Sequence, residues 1–205
     1  MNNYNMVYFG NYIDWDLVIG FLSMHLVTWL LFLVMLTNYV KTSNVHASNA
    51  ERIERKEVLK VSVLMFCSYA LMIPIEYVVT RLDFSSPYFP YTVYLLLDHF
   101  TVLFLCLVIG IYSDKGRLCK HYVFFGLLCN SALFAFIQID LLLMYNHYKS
   151  MEPWWFWSVF TIGINFFDAV MILVLLSCRD ILLLHKLESQ FLARRSKKLR
   201  VGELK

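Results

Sequence analysis

Charged residues are scarce in this chain, and their scarcity excludes an ordinary soluble domain. Only 16% of the 205 residues are charged and 60% are hydrophobic, whereas charged residues make up about a quarter of a soluble protein. Glycine is scarce as well, with seven residues, and no small-xxx-small run dominates an apolar segment. We therefore expect a loosely crossed bundle of helices, or helix faces that neighbouring subunits complete.

Lys and Arg are almost absent from every second connection between the apolar segments. Of the 18 basic residues, only Arg81 and Lys149 fall in the connections on one side, and the N-terminal region before residue 17 has none. Basic connections stay preferentially in the cytoplasm. The asymmetry predicts an N-terminus outside and a C-terminus in the cytoplasm. No Lys or Arg precedes the first apolar run, so we expect no cleavable signal peptide.

Long apolar runs are what the chain does have, and each is long enough to cross a hydrocarbon core of about 30 Å. They cover roughly residues 17–40, 58–79, 91–112, 122–145 and 154–178. The runs are continuous and not alternating, so they predict helices and exclude a β-barrel. The predicted fold is an all-α bundle of five transmembrane helices in the cell inner (plasma) membrane. The main alternative has one helix fewer or more.

The five cysteines are interpreted as reduced thiols and apolar filler. None lies in a predicted outer connection, and none pairs with another at a metal-ligand spacing. The outer connections also lack an Asn-x-Ser/Thr sequon. We expect no disulfide bond, metal, cofactor or catalytic group.

Both cytoplasmic helix ends are predicted to extend beyond the membrane. Ser48 followed by Glu51 has the spacing of a capping box, so the second helix should begin well before it enters lipid. The last helix should continue past Cys178, because no Gly or Pro interrupts residues 179–198. This divides the chain into a transmembrane domain, residues 1–178, and a basic amphipathic tail, residues 179–205.

The tail is predicted to dock on a cytoplasmic protein or on anionic lipid, with no direct role in nucleic-acid binding. Its apolar anchors share one helical face, and a basic cluster follows them. The docking residues are Leu184, Leu187, Phe191, Arg194, Arg195, Lys197, Lys198 and Arg200.

Polar groups at membrane depth are candidates for function because they are costly there. The candidates lie mostly in the outer half of the membrane: His25, Glu76, Asp98, His99, Gln138, Asp140, Asn165 and Asp168. Three interpretations are open. The groups hold the helices together by hydrogen bonds, they line a path for ions or protons, or they form a metal or catalytic centre. The last is disfavoured because no segment has an HExxH motif or a His pair four residues apart.

The sequence therefore predicts a small, non-enzymatic membrane subunit. We expect a homo-oligomer, since five helices enclose little interior. It would act as a sensor or anchor that couples the membrane to a cytoplasmic partner, for example in a bacterial defence or stress system. The alternative is an ion or proton channel or transport pathway that uses the acidic residues.

Overall fold

The computed structural model describes residues 25–43, 47–81, 89–143 and 155–183. Their helices are α1 Leu26–Thr42, α2 Asn49–Arg81, α3 Phe89–Leu107, α4 Asp114–Leu143 and α5 Trp155–Ser177. The last four are long and apolar enough to cross a membrane, while α1 has 17 residues. The described chain is all-helical, and its long apolar helices are those of a multi-pass membrane protein. A fifth crossing and the orientation remain predictions.

The helices pack as a ring in chain order. Each helix contacts the next one along the chain, and α1 closes the ring against α5. Helix α2 also contacts α4 and α5, so it touches all four other described helices. Any polar side chain on the inward face of α2 is thereby brought close to residues from several helices.

The apolar core fills one half of the bundle. It is built from α1, α2, α4 and α5, with Leu105 as the contribution of α3. The fully buried large side chains include Leu31, Val61, Met65, Val123, Leu127, Met171, Val174 and Leu175. Beyond this core, toward the other end of the bundle, the next buried positions of α2, α3, α4 and α5 are polar.

The capping box predicted for the second helix is confirmed. Ser48 N–H donates to Glu51 Oε2, and Glu51 N–H donates to Ser48 Oγ, both at 3.3 Å. Helix α2 then runs for 33 residues, which is about 50 Å at the usual rise. It is long enough to cross a hydrocarbon core and to project beyond one side of it.

The connection between α3 and α4 differs from the prediction. Helix α3 ends at Leu107 and not near residue 112, and α4 already begins at Asp114 inside the predicted loop 113–121. Glu57 of α2 holds this connection, because its carboxylate accepts from Tyr112 N–H at 3.0 Å, from Ser113 N–H at 2.9 Å and from the Ser113 hydroxyl. Ser113 in turn caps α4 by accepting from Gly116 N–H at 3.1 Å.

Gly116 is needed where α4 begins. A Cβ atom there would lie 2.6 Å from the Ile111 side chain and 2.7 Å from Glu57 Oε2. The missing side chain lets the Glu57 carboxylate reach the first turn of α4, where negative charge is favourable.

The prediction that the last helix continues without a break past Cys178 is wrong. Helix α5 ends at Ser177, and residues 178–183 are not helical. Cys178 has a left-handed φ of 52° and Leu183 one of 55°. Residues 184–205 lie outside the described part, so the amphipathic tail and its docking residues stay a prediction.

Tertiary hydrogen bonds explain why α5 stops without Gly or Pro. The last carbonyls of a helix need partners from elsewhere. Val174 O still accepts from Cys178 N–H in the helical pattern at 2.7 Å. The next two carbonyls have distant partners, because Leu175 O accepts from Asn38 Nδ2 at 3.0 Å and Leu176 O from Lys41 Nζ at 2.9 Å. The following turn is held by the Tyr122 hydroxyl, which donates to Asp180 and accepts from Leu182 N–H at 2.8 Å.

One end of the bundle, the basic end, gathers residues from several of the predicted cytoplasmic connections. Lys115 Nζ lies 2.7 Å from Glu54 Oε2, and Arg55 donates to the Lys41 carbonyl at 2.8 Å. These contacts join the end of α1 and the beginnings of α2 and α4. The segments that the charge pattern assigns to the same side of the membrane therefore lie together in the structure.

Candidate cation site

Four helices bring one polar side chain each to a single buried position, which we call the carboxylate site. It consists of Tyr69 from α2, Asp98 from α3, Asn130 from α4 and Asp168 from α5. Both carboxylates are buried, with Asp98 3% and Asp168 5% exposed, and Asn130 is 1% exposed. The site lies directly beside the apolar core, one helical turn beyond Met65 and Leu127.

Hydrogen bonds support one of the two carboxylates. Tyr69 donates its hydroxyl to Asp168 Oδ1 at 2.6 Å, and Asn130 Nδ2 donates to the same oxygen at 2.8 Å. Two donors on one oxygen are the arrangement expected around an ionised carboxylate. The two donors therefore offset part of the cost of burying a negative charge on Asp168.

The second carboxylate lacks such support. Within the described part of the chain, Asp98 Oδ2 and Asn130 Oδ1 are buried oxygens without a hydrogen-bond partner. Asp98 is also close enough to Asp168 for the two carboxylates to interact electrostatically. Two neighbouring negative charges with unpaired oxygens are unfavourable in a low-dielectric interior unless a cation compensates them.

Further buried hydroxyl groups lie one helical turn away from Asp98. Ser68 and Thr101 are hydrogen bonded at 2.5 Å, and Thr101 donates to the Leu97 carbonyl at 2.8 Å. Ser131 is buried beside Asn130, and its Oγ has no partner among the described residues. The oxygen atoms available around the site are thus carboxylate, amide and hydroxyl oxygens, which suit a proton or a hard cation.

The site lies near the middle of two helices that are long and apolar enough to cross a membrane. Asp98 is nine residues into α3 and Asp168 thirteen residues into α5, which corresponds to roughly 14 Å and 20 Å along the two helix axes. The hydrocarbon core is about 30 Å thick. Both carboxylates therefore lie well away from either end of their helices.

The remaining predicted polar residues do not join this site. His99 and Asn165 are exposed on the bundle surface, where they bond to Leu95 O at 2.7 Å and Thr161 O at 2.7 Å of their own helices. Gln138 donates to Thr92 Oγ1 at 2.8 Å and links α4 to α3. Gln138 is half-buried, as are His25, Glu76 and Asp140. Of the eight candidates, the structure brings Asp98 and Asp168 together.

Sequence reasoning did not select Tyr69 and Asn130. Tyr69 is one of 13 tyrosines, and nothing local distinguishes it from tyrosines at the membrane interface. Asn130 and Ser131 form an adjacent polar pair in an otherwise apolar run, and this is a usable signal. Glu57 was also missed, because it sits in a run of charged residues that resembles a solvated surface.

The third interpretation, a metal centre of His and carboxylate ligands, receives no support from the described residues. No group of three or more His, Cys, Asp or Glu side chains among them could hold a metal ion. His99 turns away from the carboxylate site, so it cannot combine with Asp98 and Asp168 there. The two carboxylates come together within a single chain. The carboxylate site therefore gives no information on oligomeric state, and the homo-oligomer stays a prediction.

Comparison with known proteins adds no relative. Neither the protein-family models, nor the curated proteins, nor the solved structures contain a match to this chain.

Proposed function

We propose that this chain binds one small cation, a proton or an alkali ion, at the carboxylate site and conducts it through the membrane. The observation that carries the proposal is the buried pair of Asp98 and Asp168, with Asp98 Oδ2 and Asn130 Oδ1 unpartnered among the described residues. Buried ionisable groups within membrane helices mark ion and proton pathways more often than other positions do.

The arrangement favours cation binding over a purely structural role in helix packing. Hydrogen bonds that hold helices together need matched donors and acceptors, and they contribute on average about 0.6 kcal/mol in membrane proteins. Here the described site has a surplus of acceptors, since Tyr69 and Asn130 both donate to the same oxygen of Asp168. A bound cation would satisfy the oxygens that these two donors leave unpaired.

Each residue has a distinct role in the proposal. Asp168, oriented by Tyr69 and Asn130, supplies a fixed negative charge, and Asp98 supplies the second oxygen ligand or the proton acceptor. The hydroxyl of Tyr69 is also close enough to Asp98 to interact with it electrostatically. Ser68 and Thr101 extend the polar surface along α2 and α3.

The predicted role as a sensor or anchor for a cytoplasmic partner is compatible with this proposal. The turn after α5 is hydrogen bonded to Tyr122 in the core. The tail therefore begins from a fixed position on the bundle.

Proteoliposomes test the proposal. Purified full-length chain is reconstituted, and the vesicles receive either a proton gradient or a gradient of Na⁺ or K⁺, with a pH dye or an ion-selective dye inside. We expect flux of one of these ions above that of protein-free vesicles. Background flux for all three ions, from folded and correctly inserted protein, would contradict the proposal.

A further inference from the structure

Two cysteines from different parts of the chain meet at the basic end. Cys119 lies in α4 and is fully buried, while Cys178 follows directly on α5 and is partly buried. Both bind the same carbonyl, because Val174 O accepts from Cys178 N–H at 2.7 Å and from Cys119 Sγ at 3.8 Å. The two thiols are also close enough to influence each other electrostatically. Residues 59 positions apart thus form a thiol pair.

Cys178 is held in a strained backbone conformation. Its φ of 52° is in the left-handed region, which is unfavourable for a residue with a side chain. The contacts of Tyr122 with Asp180 and Leu182 fix the turn that follows. Strained residues that the surrounding structure holds in place are frequent at functional positions.

A pocket gives small molecules access to Cys178. Charged side chains from α1, α2 and α4 surround it. The other lining residues are Asn38, Lys41, Glu51, Glu54, Arg55, Val58 and Lys115. Cys119 is fully buried and does not line the pocket.

The surroundings also favour the thiolate of Cys178. The neighbouring Cys119 thiol, together with the ammonium groups of Lys41 and Lys115, lowers the pKa of Cys178 to about 7, against the opposing effects of burial and Glu54. A substantial fraction is therefore thiolate at neutral pH, and the thiolate is the reactive form of cysteine.

We propose that Cys178 and Cys119 form a redox-active dithiol, in which Cys178 reacts with a small hydroperoxide that enters from the basic end. The Cys178 thiolate attacks the peroxide, and the O–O bond breaks to give a sulfenic acid and an alkoxide or hydroxide, which takes up a proton. The Cys119 thiol then displaces water from the sulfenic acid and forms the disulfide. In total, two thiols and one hydroperoxide give one disulfide, one alcohol or water, and one further water.

Such a disulfide would join α4 covalently to the turn that leads into the tail. In cytoplasmic proteins disulfides are usually transient and redox-sensing. The positive charge of the basic end predicts a cytoplasmic location, so the pair has the setting of a reversible switch.

Thiol counting tests this proposal. The purified full-length chain in detergent micelles is treated with hydrogen peroxide, denatured and alkylated, and its mass is measured. We expect the five cysteines to give five alkylations before treatment and three after it, with recovery in dithiothreitol. Peptide mapping should place the disulfide between Cys119 and Cys178. Before oxidation, the alkylation rate of Cys178 should rise with pH around a midpoint near 7.

Single variants separate the two roles. Cys178→Ser should keep all four of its remaining thiols, whereas Cys119→Ser should accumulate a sulfenic acid at Cys178 that dimedone traps. Cys129→Ser is the matched control, because Cys129 lies elsewhere on α4, and it should still lose two thiols. Five remaining thiols in treated wild-type protein, or loss of two thiols in Cys178→Ser, would overturn the proposal.

Discussion

Exchange of Asp168 for Asn is expected to reduce ion flux in proteoliposomes roughly 100-fold, close to the level of protein-free vesicles. Asn has nearly the same shape as Asp, and its Oδ1 can still accept from Tyr69 and Asn130, so the helices keep their packing. The variant removes the negative charge that the two donors stabilise. Loss of one partner of a buried charge interaction costs about 3 kcal/mol, which corresponds to a factor on the order of 100.

Two further variants show whether the effect belongs to the carboxylate site. Asp114→Asn makes the same chemical change at the exposed start of α4, where Asp114 pairs with Arg117, and it should leave flux unchanged. Tyr69→Phe removes one of the two donors to Asp168 and should give an intermediate flux. If Asp168→Asn is folded and retains the wild-type flux, Asp168 is not part of an ion pathway.

Replacement of Glu57 by Ala should cause the largest loss of stability. Glu57 is 4% exposed and accepts three hydrogen bonds from Tyr112 and Ser113. Removal of a buried acceptor leaves its donors unpaired, at a cost of about 3 kcal/mol in total. For a chain of this size, this lowers the melting temperature by roughly 6–12 °C, as measured by thermal unfolding in detergent.

Glu51 provides the matched control on the same helix. It is exposed, and its ion pair with Arg55 is 3.9 Å long. Because its capping contacts are surface interactions, Glu51→Ala should cost about 1 kcal/mol or less. Equal losses from both variants would show that the Glu57 contacts do not hold the α3–α4 connection.

The helices could be predicted from the sequence because lipid offers no hydrogen-bond partner to the backbone, so a continuous apolar run that spans the membrane must be helical. Local signals also located the start of α2, where Ser48 and Glu51 cap each other. The end of α5 could not be predicted in this way. It depends on Asn38, Lys41 and Tyr122, which lie more than 50 residues away in sequence.

The candidate site was predictable only in part, for the same reason. Asp98 and Asp168 are unusual in apolar runs, so composition alone marked them as candidates. Whether such groups face each other depends on the rotation of each helix about its axis. His99 directly follows the buried Asp98 in sequence, yet it points to the bundle surface and is exposed. Tyr69 and Asn130 became visible as partners only through the packing of four helices.

The most direct test of the central claim, that Asp98 and Asp168 together require a cation, is the melting temperature of Asp98→Asn. It is compared with the wild type at alkaline pH, in a buffer whose cations are all bulky organic ions, so that neither a proton nor an alkali ion is available to the site. Removal of one of two neighbouring like charges relieves about 1–2 kcal/mol of repulsion. The account predicts that Asp98→Asn melts higher than the wild type, by roughly 2–8 °C. A variant that melts several degrees lower would contradict it, because Asp98 would then stabilise the bundle as an ordinary hydrogen-bonded contact.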